Sequence, residues 1–537
     1  MEERAVEGPR DVLGQGQVWL NIREYGATGA KGQNATPAIQ KAINECAARG
    51  GGTVYLPPGE YTSGTLHLRS HVRLYLEAGA TLFACTDPAS YEKGALIYGE
   101  DLQDITIEGR GTVDGQSEYI WQLDTLDDAY IRPNKLAMQA LGKPLMRAFP
   151  KGFPHRKLYP RMILLVRCCD VRIAGLSILH SPSWTLNPYA CERLVIDGVY
   201  IHTSLKEGVW ADGIDPDGCK DVRIMNSTIV TGDDAIVFYS SDVWGPVRPC
   251  ENITITNCRL SSASSAIKFC DGNQLAVRNV TISNCVITDS NRGIAFMVFD
   301  GGYVSDVVIS NISIQTRRFD WFWWGDGDPI HFNIKRRSEV DGIHRDHERL
   351  AGSIRNVILS DIVAHGQGTC FVNGHPDSWL ENMSLENVRL FLSTNPAAPY
   401  DQSVDAMKIR WAKNLKLRDL EVNWDRPELK KWRSALSFED VQGLQIDGFS
   451  GRQAPSQPDA PAIRLRNVDG AVIRNSMAQP GSKTFLEVSG AHSRDICLFG
   501  NDLRHAEQAY RADLDSKGAI HETSNLLPPK SVIDTAR

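Results

Sequence analysis

The sequence predicts an all-β solenoid, a stack of β-coils closed at its start by a short helix. Two observations predict it. From Asp104 onward an apolar alternation ending in Asn, Asp or Gly keeps returning: DITIEG, DVRIAG, RLVIDG, DVRIMN, NITITN, NVTISN, DVVISN, NVILSD, NMSLEN, NLKLRD, GLQIDG, AVIRN. Most neighbouring copies lie roughly 23–32 residues apart, the period of one coil of a repeat architecture.

The alternation turns every second side chain inward, and one coil cannot bury that face until another stacks on it. The closing Asn or Asp suits a tight turn, because its side chain tolerates left-handed backbone and bonds nearby peptide groups. The same residues create glycosylation-like triplets at Asn252-Ile253-Thr254 and Asn279-Val280-Thr281, for which a turn is the expected role. An open stack needs a cap. Thr36 as N-cap, Pro37 at the first helical position and Ile39, Ile43 and Ala47 on one face predict a helix ending at Gly50-Gly51-Gly52. The segment TVYLPPGEYTSGTLHLRSHVRLYLEAGATLFA then reads as short strands between Pro and Gly turns.

The expected organisation is an N-terminal extension over 1–16, the solenoid over 17–505 and a loosely packed tail over 506–537. Two segments break the rhythm, about 116–160 and 317–348, and insertions in repeat proteins collect on the binding face.

Composition bounds the function. Of 537 residues, 42% are hydrophobic and 23% charged, and 58 basic against 65 acidic side chains give a formal charge of -7. Without a basic run, neither a nucleic-acid nor an anionic-membrane surface is expected. No apolar run is long enough to span a bilayer. The start, MEERAVEGPRDVLGQG, has no apolar leader region. The 12 cysteines are too dilute for a disulfide scaffold, and Cys258 and Cys285, at equivalent repeat positions, read as small buried hydrophobes. With no CxxC and no HExxH, a zinc site has little support.

The densest chemistry lies in WADGIDPDG (210–218) and TGDDAIVF (231–238). Asp212 and Asp233 are 21 positions apart, about one turn of a tight coil, so their side chains should meet on neighbouring rungs, with Asp234 beside them. Like charges so close raise one another's pKa, and one acid should keep its proton near neutrality. A proton-holding acid beside an ionised base is what glycosidic cleavage requires. The alternative is that acids at β-coil turns, such as Asp215 and Asp217, are structural.

These residues carry a resemblance. NIREYGATGAKGQNATPAIQKAI and GGTVYLPPGEY resemble the start of pectin-degrading parallel β-helix enzymes, while SPSWTLNP, ADGIDPDG and GDDAI resemble glycoside hydrolase family 28, the polygalacturonase family. The similarity runs over about Leu20 to Ser310, with coil repeats continuing to about Leu503. It implies a single-stranded right-handed parallel β-helix and an inverting hydrolase with no metal, no cofactor and no covalent intermediate. It implies Asp233 as the acid and Asp212 and Asp234 as the pair that activates water. An acid-to-base separation of roughly 6.5–9.5 Å would fit inversion. A pectic oligo- or polysaccharide substrate, a monomer and an extracellular or periplasmic location follow from the same resemblance. The absence of a visible leader leaves the cytoplasm open.

The chain also departs from that family. Trp210-Ala211 stands where polygalacturonases carry Asn-Thr, and SSASSAIKF, with Ser264, Ser265 and Lys268, replaces the Gly-His-Gly stretch. The Arg-Ile-Lys motif that holds a galacturonate carboxylate aligns with Gly293-Ile294-Ala295-Phe296-Met297. Lys268 or nearby Arg292 is the candidate replacement, or the sugar at the cleavage point is neutral; Lys268 also reads as a solvated strand residue. Ser265, Asp215 and Trp210 complete the candidate substrate contacts around the acids. The cluster Phe319, Trp321, Phe322, Trp323 and Trp324 is expected in a loop as a sugar-stacking surface; His331 reads either as a hydroxyl-bonding residue or, more commonly for a histidine, as a satisfied structural one.

Two other functions remain open on sequence grounds. A polysaccharide lyase would hold Ca²⁺ on Asp212, Asp215 and Asp217 and use Lys268 as base. A non-catalytic β-helix would bind glycans through aromatic loops alone.

Overall fold

The computed structural model describes residues 18–125, 146–150, 160–205, 208, 210–269, 271–319, 325–341, 349–394, 403–425 and 431–529. The chain winds into a right-handed parallel β-helix whose repeated apolar alternation stacks in register. Val171 pairs with Leu194, then Val222, Ile253, Val280, Val307, Val357, Met383, Leu415 and Leu444 follow rung by rung. Each is buried, so the repeat that reads as periodicity in one dimension is a continuous apolar column in three.

The turn residues behave as their chemistry requires. Asn252 and Asn279 adopt left-handed backbone, with φ of 60° and 56°. Their amides form a ladder, Asn252 Nδ2 donating to Asp221 Oδ1 at 2.8 Å and Asn279 Nδ2 to Asn252 Oδ1 at 3.2 Å. Cys258 and Cys285 are buried and free, as small hydrophobes.

A helix over Thr36–Ala48 covers the first coil, burying Ala38, Ile39, Ala42, Ile43 and Cys46. Its cap differs from expectation. Ala35 is the N-cap and Thr36 the first helical residue. Thr36 Oγ1 instead accepts from Gly64 N at 2.9 Å and contacts Ser63 Oγ at 3.0 Å, so its hydroxyl ties the helix to the coil beneath.

The stretch after 505 is not a loose tail. Ala506–Ala512 pairs with Ser482–Ser489, and Ile520–Thr523 pairs with Arg494–Phe499, so coils continue past the point where the motif fades. Part of the second interruption also belongs to the stack: Asp328–Ile334 is a strand paired with Arg292–Val298. Among the described residues, no helix is long and apolar enough to cross a membrane.

The functional face is one sheet of the coil. Ile236–Phe238, Ser265–Phe269, Arg292–Val298, Asp328–Ile334 and Cys370–Asn373 run parallel across it. On the inner side a column of rings stiffens it: Phe238 and Phe269 lie 5.2 Å apart, Phe269 and Phe296 4.1 Å, Phe296 and Phe332 4.1 Å.

Candidate active site

The site begins with a close backbone approach. A Cβ at Gly213 would lie 2.3 Å from the Ala235 carbonyl of the next rung, so only glycine fits after Asp212. This contact brings Asp212 against the Asp233-Asp234 pair. One oxygen from each of the three carboxyls lies within 4.8 Å of the others, on the floor of a cavity of about 900 Å³. That spacing is shorter than the roughly 6.5–9.5 Å expected for two acids flanking a water.

Each acid sits in a different field. Asp234 accepts from Ser264 Oγ at 2.7 Å, Ser265 N at 3.0 Å and Lys268 Nζ at 2.7 Å. The buried Asp234 carboxylate is thus surrounded by a cation and two further donors. Asp233 accepts from Asp234 N on one oxygen, 3.0 Å, and on the other from Trp210 N, 2.9 Å, where Trp210 has left-handed backbone at φ 69°. Asp212 lacks such support. Burial, then the charges of Asp233, Asp215 and Asp234, push its carboxyl well above the usual range, while Lys268 pulls the other way.

Asp215 and Ser265 lie behind the triad and not on the cavity wall. No N–H or hydroxyl donor reaches either Asp215 oxygen or Asp212 Oδ1. Burial raises Asp215 as well. Asp217 is a structural turn acid: its carboxylate accepts from Ser241 N at 2.8 Å and from the Ser241 hydroxyl, and burial pushes it up to about 6. Asp212, Asp215 and Asp217 do not form one cation cage; the acids that converge are Asp212, Asp233 and Asp234. Lys268 is not a solvated strand residue. It is buried against Asp234, with Asp271 3.8 Å away.

Lys268, Arg292, His331 and Trp210 line the cavity. Arg292 stands 3.7 Å from Asp328, and His331 Nδ1 lies 3.0 Å from the same carboxyl. Burial and the nearby guanidinium lower His331 to about 4, so the ring is neutral and donates Nδ1–H to Asp328. Its Nε2 is buried without a partner, an acceptor on the cavity wall. Of the aromatic cluster, Phe319 is buried, with Arg317 lying 3.8 Å over its ring, so it packs and does not stack on sugar. Trp321, Phe322, Trp323 and Trp324 lie outside the described residues.

Sequence reading missed the opposite wall. Trp184 and Tyr239 stack at 5.3 Å and line the cavity. The SPSWTLNP motif contains Trp184, but nothing in its spacing says that the ring meets Tyr239 two rungs on. Asp328, which holds both Arg292 and His331, was also missed, because it lay inside an expected loop.

Comparison with known proteins accords with this geometry. Residues 151–318 match the family model described as glycosyl hydrolases family 28. That segment is what the chain shares with glycosyl hydrolase family 28. Residues 19–119 match a second model, rhamnogalacturonase A/epimerase, pectate lyase-like. A probable polygalacturonase from Vitis vinifera is 28% identical over 272 residues, covering 46% of this chain and 50% of its own. The chain thus spans about half the length of the curated relatives it matches. The exopolygalacturonase of Yersinia enterocolitica superposes with a TM-score of 0.61 at 18% identity, covering 80% of this chain and 78% of that one. That of Thermotoga maritima superposes with a TM-score of 0.58 at 22% identity, covering 76% and 92%. At these identities the chain shares their fold.

Proposed function

We propose that the protein is an inverting glycoside hydrolase that cleaves a pectic or related saccharide by single displacement, with specificity altered from ordinary polygalacturonase. The observation that carries this reading is the convergence of three carboxyls within 4.8 Å on the cavity floor, one of them charge-paired with Lys268. Asp233, the most accessible of the three, gives its proton to the leaving oxygen. Asp212 and Asp234 share the attacking water. A water bonded to two oxygens at about 2.8 Å spans about 4.5 Å between them, so the Asp212–Asp234 spacing has room for one shared water.

Recognition uses the two walls. Trp210 and Tyr239, the latter backed by Trp184, line the cavity with aromatic surface, and His331 Nε2 accepts from a sugar hydroxyl. Lys268 is committed to Asp234, so Arg292 is the cation left near the cleavage point to meet a carboxylate. The family resemblance supports action outside the cytoplasm.

The test is turnover on a panel of pectic oligosaccharides, with the anomeric configuration of the first product read by NMR. Inversion is expected; a retained configuration, or an unsaturated product absorbing in the ultraviolet, overturns the mechanism. A second reading, with Asp212 as proton donor, is favoured by its raised pKa. An aryl glycoside with a good leaving group separates them. Activity lost on the natural linkage but kept on the aryl glycoside marks the acid, and we expect that behaviour from Asp233→Asn and not from Asp212→Asn.

A further inference from the structure

The cavity does not end at the acids. It runs along the same sheet face past His331 and Phe371 to a second group of charges, lined by Lys408, Arg433, Arg464 and Arg466. These residues come from the later coils, beyond the matched family segment 151–318.

The register gives their spacing. Lys268 pairs with Ala295, which pairs with His331, Phe371, Lys408, Ser437 and Arg464 in succession. At about 4.8 Å per rung, Lys408 lies about 19 Å and Arg464 about 29 Å along the axis from Lys268. A linear saccharide anchored at the acids and lying along the axis would reach these rungs only several units away.

The carboxylates nearby do not match the cations. Glu439 is the shared neighbour of three: Arg410 Nε at 3.2 Å, Arg466 at 3.7 Å and Lys408 at 3.9 Å. Arg464 Nε is buried without an acceptor, and its nearest carboxylate, Glu487, is 3.5 Å away and also holds Arg511. The other acid on this stretch, Asp405, is buried and accepts from Ser434 N. Arg464 and Arg466, 29% and 56% exposed, thus carry donors that their neighbouring carboxylates do not fill, and an anion in the cavity would complete them.

We propose that Lys408, Arg433, Arg464 and Arg466 form a distal subsite for a carboxylate-bearing sugar unit, so that this chain reads acidity several units away from the bond it cleaves. The assignment rests on the glycan-hydrolase reading of the same cavity. It adds a site for negative charge in the later coils to the Arg292 guanidinium near the cleavage point. Arginine suits the task, since its planar fork meets a carboxylate with two parallel bonds.

The experiment measures binding without turnover. In an Asp233→Asn background, the affinity of a galacturonate hexamer is compared with that of its methyl-esterified form by calorimetry. The acidic form is expected to bind at least tenfold more tightly. Adding Lys408→Gln and Arg464→Gln together should reduce that preference to under about twofold, with Arg433→Gln, an exposed single change, lowering it part-way. No preference for the acidic hexamer, or a preference untouched by both sets of changes, overturns the proposal. Hydrolysis by the unmodified chain is assayed in parallel: charge-selective binding without any hydrolysis leaves this subsite standing and removes the hydrolase reading.

Discussion

Lys268 reaches back one rung to Asp234, its Nζ 2.7 Å from Oδ2, with both side chains buried at the base of the cavity. The same ammonium is the one charge that works against the raised pKa of Asp212. Lys268 is thus the electrostatic counterweight of the triad.

Lys268→Met should lower kcat by about 10²–10³, the effect of removing a preorganised charge contact. It strips Asp234 of its cation and lets Asp212 rise further, so the limb of the pH–rate profile set by Asp212 moves to higher pH. A profile with unchanged limbs would show that the ammonium has no part in the triad's proton distribution.

Asp233→Asn should cost about 10²–10⁴ in kcat while leaving the fold intact, because the amide keeps the shape but has no acidic proton to give. Steady-state kinetics with circular dichroism as the folding check settles it. A variant with near-native turnover would remove Asp233 from the role of acid.

Asp215→Asn should stabilise the folded chain at neutral pH. Folding raises the Asp212 and Asp215 carboxyls above their ordinary value of 3.8, so the unfolded chain ionises first. Stability is then fullest below that value and declines as pH rises toward the raised folded values, by about 1.4 kcal/mol for each tenfold weakening of the acid on folding. Urea denaturation should show the variant gaining on the native chain between pH 4 and 7. A variant that is weaker at both pH values contradicts this.

His331 should titrate near 4 and not near the ordinary 6.5. Its folded value is depressed, so the stability it contributes is present above 6.5 and is lost as pH falls toward 4. NMR of labelled histidine reads the midpoint directly; titration near 6.5 would mean the ring is not desolvated on the cavity wall.

Phe296→Ala should cost about 3–5 kcal/mol, since it removes the middle of the stacked column beneath the site. Denaturant midpoints measure the loss, and one below about 1 kcal/mol would mean the column is not close-packed.

Much of this molecule is written in its periodicity. The apolar alternation makes the solenoid unavoidable, since residues such as Val222 and Ile253 have nowhere to go but inward against the next coil. The Asp212-Gly213 and Asp233-Asp234 pairs were legible because their spacing equals one coil. Other features were not. Phe319 reads as an exposed loop aromatic and is buried, and Asp328 reads as loop and is the strand residue that holds His331 and Arg292. The chain beyond 505 reads as a tail because its alternation fades, yet backbone pairing alone continues the stack.

The sequence by itself determined the coil, its inward face and the identity of the three acids, because these depend on the local period and on one-rung spacing. Which acid is paired with a cation, which accepts from the backbone and which is left without a donor was decided by tertiary structure alone. A carboxyl's charge depends on the donors and the dielectric around it, and Lys268, Ser264, Trp210 and Asp215 reach these groups only once successive coils are stacked.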